Sequence, residues 1–187
     1  VEGREIRDRA ARRALEPAVS DKAVAALWAP TGAVLCPFGM TIALAENAAA
    51  NGCAFRFNTE VARIERRDGF FRLHTGGDCI DTRVVISAAG VYGVALRHQL
   101  CAVKLTIVPR RGEYCLLDRT CGQLVQHTIF QLPSAMGKGV LVTPTVHGNL
   151  LVGPTAVDQP DKDRTATTAE GLRSVAETAA KSVENLP

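Results

Sequence analysis

Two neighbouring arginines beside a glycine are the first residues of this chain that could do chemistry. They lie in Pro109-Arg110-Arg111-Gly112-Glu113-Tyr114. A guanidinium presents a planar fork of donors that matches a carboxylate or phosphate, and the glycine lets a ligand approach the backbone. The same stretch also reads as a charged turn between strands, and taken alone it leaves both readings open. A second constellation is Gly137-Lys138-Gly139 followed by Thr143-Pro144-Thr145-Val146-His147-Gly148-Asn149. Proline is poorly tolerated in a central strand, so Pro144 marks an edge or a functional break. His147 could serve as a base or touch a substrate, or it could be a structural turn residue. The third signal is residues 84–90, Val-Val-Ile-Ser-Ala-Ala-Gly, an apolar run collapsing into small side chains. It reads as a buried strand whose carboxyl end a ligand approaches closely. The G-x-G-x-x-G fingerprint that usually accompanies such a strand is absent, and Gly137-Lys138-Gly139 lacks its third glycine. Hydrolytic signatures are absent too: no G-x-S-x-G, no H-E-x-x-H and no close pair of carboxylates.

Composition narrows the classes. The 187 residues suffice for one sizeable core or two small ones, and 47% hydrophobic with 22% charged is ordinary for a globular protein. A net charge of +3 is too weak to argue for nucleic acid, and 5% aromatic residues leave few stacking platforms. Arg4, Arg7, Arg9, Arg12 and Arg13 are interleaved with Glu2, Glu5, Asp8 and Glu16, which reads as a solvated helix face. The six cysteines, at 36, 53, 79, 101, 115 and 121, show no C-x-x-C spacing, so the expectation is buried reduced thiols, no metal and a cytoplasmic protein. No apolar run reaches the ~18 residues of a membrane span, and a signal-peptide core is missing. The sequence opens on Val1 rather than methionine, which reads as a piece excised from a longer polypeptide.

These residues need elements to position them. Residues 6–15 predict a short helix closed before Pro17, and 41–51 predict an alanine-rich helix with Thr41 as N-cap and Gly52 beyond its end. Alternation at 53–57 predicts a strand. Residues 61–67 and 70–75 flank Asp68-Gly69, a strong hairpin signal, and 79–87 continue them into a three-stranded meander. Beyond about residue 100 come five β-rich segments, at 101–108, 113–118, 125–132, 140–146 and 149–152, expected to form a separate antiparallel sheet. A final amphipathic helix, with Thr167 and Glu170 as capping box and Leu172, Val175, Ala176, Ala179, Ala180 and Val183 on one face, should lie across that sheet.

The succession of Glu16-Pro17, Ala29-Pro30-Thr31-Gly32, Cys36-Pro37-Phe38, Val61 with Ile64, residues 85–90, 109–114, Thr128-Ile129-Phe130-Gln131 and 138–155 resembles the FAD-dependent D-amino-acid-oxidase superfamily. Within it, the chain is most similar to the bacterial glycerol-3-phosphate dehydrogenase branch related to L-2-hydroxyglutarate oxidases. The resemblance implies an α+β fold. Residues 1–95 would be part of a three-layer FAD-binding domain with a β-meander, and residues 96–187 an antiparallel substrate-domain sheet backed by helices. By position, Val61 would offer its backbone near the FAD adenine, and Ala88, Ala89 and Gly90 would face the ribose and pyrophosphate. Arg110, Arg111, Tyr114, Lys138 and Thr145 would bind a small anionic substrate, with His147 as the catalytic base. The implied parent oxidises a small anionic 2-hydroxy compound, glycerol 3-phosphate foremost, by hydride transfer to FAD. Its partners would be the N- and C-terminal segments of its own polypeptide and an electron acceptor that the sequence leaves unnamed. A non-catalytic substrate-binding or docking module on the same sheet is the alternative, and a nicotinamide enzyme a weaker third.

Overall fold

The computed structural model describes residues 3–133 and 137–187. In chain order the elements are β1 (Arg4–Ile6), α1 (Arg9–Leu15), β2 (Ala26–Trp28), α2 (Pro37–Ala50), β3 (Val61–Arg67), β4 (Phe70–Thr75), β5 (Cys79–Thr82), α3 (Gly93–Leu100), β6 (Arg110–Arg111), β7 (Cys115–Leu117), β8 (Leu141–Pro144), β9 (Leu150–Gly153), β10 (Val157–Asp158) and α4 (Ala169–Ala179). The fold is mixed helix and sheet, and each described sheet pairing between strands is antiparallel. They form two compact units, one of Val1–Ala43, Arg110–Asp158 and Asp163–Pro187, the other of Leu44–Pro109 and Gln159–Lys162.

The first unit holds the larger core. Its central sheet has the order β7-β9-β8, with Cys115 opposite Val152 and Val142 opposite Val152. Alternation puts Leu150 and Val152 of β9 and Val142 of β8 on one buried face. Against that face α4 sets Val175 and Ala179, with Val183 just beyond its end, at the four-residue spacing of a helix stripe. Val125 and Val140 complete the cluster. Two flanking ladders, β1 with β2 and β6 with β10, finish the unit.

The second unit is a meander of order β3-β4-β5 with α3 packed on β3. Leu73 pairs with both Ile64 and Ile80, which places these apolar side chains on one face and leaves Arg63, Glu65, Arg72, His74, Cys79 and Asp81 on the other. On the outer edge of β3 the Gln99 side chain does what another strand would do. Its Oε1 accepts from Ile64 N at 2.8 Å and its Nε2 donates to Ala62 O at 3.2 Å.

Several sequence expectations are corrected. Residues 84–89 form no strand, and Val84 and Ile86 are exposed, because no neighbouring strand among the described residues offers them a ladder. Residues 53–57 and 101–108 are irregular for the same reason, and of 125–132 only Ile129 is bridged, to Val142. The first helix starts at residue 9, capped by Asp8, because residue 6 belongs to β1. Arg12 is buried rather than solvated, its guanidinium donating to the carbonyls of Arg7, Val24 and Ala23; Glu2 lies outside the described residues. Thr41 is not an N-cap, since α2 begins at Pro37 and the Thr41 hydroxyl donates to Pro37 O. The cap of α4 is Thr168, whose hydroxyl accepts from Gly171 N, one residue later than the expected box. All six cysteines are free, but none is buried: Cys53, Cys79 and Cys101 are exposed. Among the described residues no helix is long and apolar enough to cross a membrane, and no group of three or more His, Cys, Asp or Glu could hold a metal.

Leu150 is fully buried between β8 and α4, so Leu150→Ala should cost about 2–5 kcal/mol in a urea titration. Hydrogen exchange should accelerate in β7, β8, β9 and α4 more than in the meander.

Candidate functional site

A cavity of about 660 Å³ opens in the first unit, walled by residues of β6, β8, β10, α4 and the loops around them. Its size is in the range of small-molecule sites. Arg111, Tyr114 and Lys138 all line it, together with Glu113, Leu141 and Thr155. The structure thus brings three of the sequence-predicted substrate residues to one place.

Glu113 organises this wall. It is 4% exposed, and its Oε1 accepts from Thr168 N at 2.5 Å and Thr168 Oγ1 at 2.9 Å, which satisfies donors that the start of α4 leaves open. Its Oε2 lies 3.4 Å from Thr155 Oγ1 and 3.3 Å from Arg111 Nη2. Its backbone N–H donates to Thr155 Oγ1 at 2.9 Å, and its carbonyl accepts from Thr155 N. Gly171 makes the approach possible: a Cβ there would sit 2.2 Å from Glu113 Oε2. The Thr168 backbone N–H is the largest influence on the Glu113 carboxyl and, helped by the Thr168 hydroxyl and by Arg111, holds it below its ordinary range despite desolvation.

Two cations, Arg111 and Lys138, and two carboxylates, Glu113 and Glu170, line the cavity. The oxygens of Glu113 are already taken by donors, whereas Arg111 Nε is buried without a partner. An anion entering the cavity meets the Arg111 guanidinium and the Lys138 ammonium, with the Glu170 carboxylate on the same wall. Lys138 lies 5.9 Å from the Phe130 ring centroid.

The remaining predicted residues lie elsewhere. Arg110 is exposed and paired across the β6–β10 ladder with Asp158, Nε to Oδ1 at 2.5 Å and Nη2 to Oδ2 at 3.1 Å. Thr145 shapes the turn between β8 and β9: its Oγ1 accepts from Asn149 N and its carbonyl from Gly148 N. His147 is exposed on that turn, at the end of β8 opposite to Leu141, and neither Thr145 nor His147 lines the cavity. In the second unit, Val61 is half-buried at the start of β3. Ala88, Ala89 and Gly90 form an exposed backbone strip that leads through a 3-10 turn into α3, whose first turn has no side-chain cap. Gly90 has φ of +53° and open space where a Cβ would be. Small residues running into uncapped helical N–H groups fit the phosphate side of a dinucleotide.

Sequence reasoning missed Glu113, Thr155, Thr168 and Gly171 as parts of the wall. Glu113 sat inside a motif already singled out, but its burial and its distant partners carry no local sequence signal.

Comparison with known proteins gives the family of the chain as a whole. Residues 1–186 match the family described as FAD dependent oxidoreductase, DAO. A glycerol 3-phosphate dehydrogenase of Caloramator mitchellensis is 49% identical over 92% of this chain and 36% of its own length. A glycerol 3-phosphate oxidase of Mycoplasma pneumoniae is 34% identical over 81% of this chain and 40% of its own. Among solved structures, the dithionite-reduced L-alpha-glycerophosphate oxidase of Mycoplasma pneumoniae with FAD bound superposes with a TM-score of 0.83 at 29% identity, over 99% of this chain and 49% of that one. Glycine oxidase from Geobacillus kaustophilus shares the fold at TM-score 0.82 and 23% identity, over 97% of this chain and 46% of that one. The chain spans less than half the length of each of these relatives.

The lowered carboxyl of Glu113 fixes the sign of a pH effect. Its stabilisation is fully present above the ordinary value of 4.5 and is lost as pH falls through the folded-state value below it. Glu113→Gln should therefore unfold at lower urea than the unsubstituted chain near neutrality. The gap between the two midpoints should close on acidification below pH 4.5, as the native carboxyl in turn becomes protonated.

Proposed function

The chain belongs to the FAD dependent oxidoreductase family, and on that footing we propose that it is part of a longer flavoenzyme that oxidises a small anionic 2-hydroxy substrate, glycerol 3-phosphate foremost. The observation that carries this reading is 49% identity across 92% of the chain to a glycerol 3-phosphate dehydrogenase. When bound, FAD supplies the acceptor for the hydride. In this reading Val61 and the open strip of Ala88, Ala89 and Gly90 hold the adenine, ribose and pyrophosphate side of the cofactor. The dianionic phosphate end of the substrate goes to the cavity, where the Arg111 guanidinium and the Lys138 ammonium offer charge-assisted hydrogen bonds and Tyr114 closes the wall. Arg110 keeps the β6–β10 ladder in register through Asp158, and Thr145 holds the β8–β9 turn that presents His147.

His147 is assigned the hydroxyl proton. A base must come within hydrogen-bond reach of the proton it takes, and the cavity residues alone do not place it there. Mutation decides the assignment.

Purified as the longer flavoprotein, the enzyme should lose its oxidised-flavin colour under anaerobic glycerol 3-phosphate. Bleaching by 2-hydroxyglutarate or an amino acid, with none by glycerol 3-phosphate, overturns the substrate. In the same protein His147→Ala should lower turnover about a hundredfold or more, the usual scale for a general base. Turnover within a few-fold of the parent, with KM unchanged, makes His147 a turn residue.

A further inference from the structure

We propose that Cys79, His74 and Glu65 form a thiol-exchange site on the polar face of the meander, one that takes up small disulfides bearing carboxylates. The register creates it. Cys79 is the cross-strand partner of His74, and His74 is the partner of Arg63, so β5, β4 and β3 deliver Cys79, His74 and Arg63 in one row. Glu65 stands one pleat along the same face of β3.

The distances are those of a nucleophile, a base and a group that orients the base. Cys79 Sγ lies 3.5 Å from His74 Nδ1, and His74 Nε2 lies 3.4 Å from Glu65 Oε2. Arg63 Nη2 is 3.2 Å from the same Nε2. With the proton on Nε2 facing Glu65, Nδ1 accepts the thiol proton. With Nε2 accepting from Arg63, Nδ1 donates to the sulfur. The first arrangement is the one in which Nδ1 can act as the base.

Exposure and charge make the sulfur available to an acidic partner. Cys79 is exposed. Around it four guanidiniums, Arg56, Arg63, Arg67 and Arg72, face three carboxylates, Glu65, Asp78 and Asp81, in a set of surface ion pairs, and Asp78 also accepts from Cys79 N at 2.8 Å. Desolvation opposes the charge on Glu65, but the His74 hydrogen bond and the charges of Arg63 and Arg67 outweigh it and keep the carboxyl below its ordinary range. The excess cation favours an anionic reagent.

The exchange balances. The thiol proton passes to His74 Nδ1, and Sγ attacks one sulfur of the disulfide. A Cys79 mixed disulfide forms as the original S–S bond breaks, and the departing half leaves as a thiol with the proton from His74. The Cys79 sulfur is oxidised and the departing half reduced, so no other oxidant is needed.

The chain carries its own controls, because Cys53 and Cys101 are also exposed but have no imidazole among their described hydrogen bonds. The test is the rate of labelling of each cysteine in the intact chain, read by peptide mass spectrometry, with anionic dithiobis-nitrobenzoate and with uncharged dithiodipyridine. Cys79 should react about tenfold faster than Cys53 and Cys101 with the anionic reagent, a modest share of what a positioned base supplies. Its lead should be smaller with the uncharged one. His74→Asn should remove the lead while the other two rates stay put. If all three rates rise together, the variant has unfolded, and Glu65→Gln, which leaves His74 in place, carries the same comparison with an expected partial loss. Cys79 reacting no faster than Cys53, or keeping its lead in both variants, overturns the site. An equal lead with both reagents overturns the acidic ligand class.

Discussion

A helix that starts inside a protein leaves backbone N–H groups that something must satisfy, and in the first unit that something is the carboxylate of Glu113. The constraint it meets is steep, because an unpaired donor or an unpaired carboxylate in that position would each carry a desolvation penalty. One carboxylate reaching Thr168 ties the start of α4 to the loop after β6, and the two hydrogen bonds with Thr155 tie that loop to the segment between β9 and β10. Arg111 then has a partner that holds its side chain at the cavity wall. The apolar stripe of Val175, Ala179 and Val183 lands on Leu150 and Val152 only if α4 starts where it does. Hydrophobic burial supplies the larger energy of this unit; Glu113 supplies its registration.

The sequence was readable where structure is decided locally. Asp68-Gly69 between two alternating runs gives the β3–β4 hairpin to the residue, and the apolar stripe of the last helix marks its buried face. The paired arginines, Tyr114 and Lys138 were readable because their chemistry is written in side-chain type, and three of these residues meet at one cavity. What failed depends on distant partners. Residues 84–89 have the composition of a buried strand, yet a strand exists only where another chain segment takes its hydrogen bonds. The same holds for 101–108. The network of Glu113 with Thr155 and Thr168 joins residues 42 and 55 positions apart, and no local pattern announces such a pairing. The frame error at the cap of α4 belongs here too: Thr167 and Thr168 are indistinguishable until Glu113 selects one.

Several large apolar residues outside the cores are exposed. Phe38, Met40, Ile42 and Leu44 of α2 are open, as are Val84 and Ile86 beside the Ala-Ala-Gly strip. Soluble proteins rarely leave so many large apolar side chains uncovered without a use for the surface. Two other features stand out: an exposed strip of small residues leading into a helix whose first turn has no side-chain cap, and a cavity lined by Arg111 and Lys138.

The side-chain amide of Gln99 has a consequence beyond holding α3 against β3. An amide carries the same donor and acceptor as a peptide group, so Gln99 terminates the sheet in the way a cap terminates a polymer. With Ile64 N and Ala62 O already engaged, a foreign strand arriving at β3 finds the middle of its docking edge spent. The opposite edge, β5, is only four residues long and too short a template for stable growth. A three-stranded sheet with open edges would otherwise invite self-association; one glutamine and one short strand make it finite.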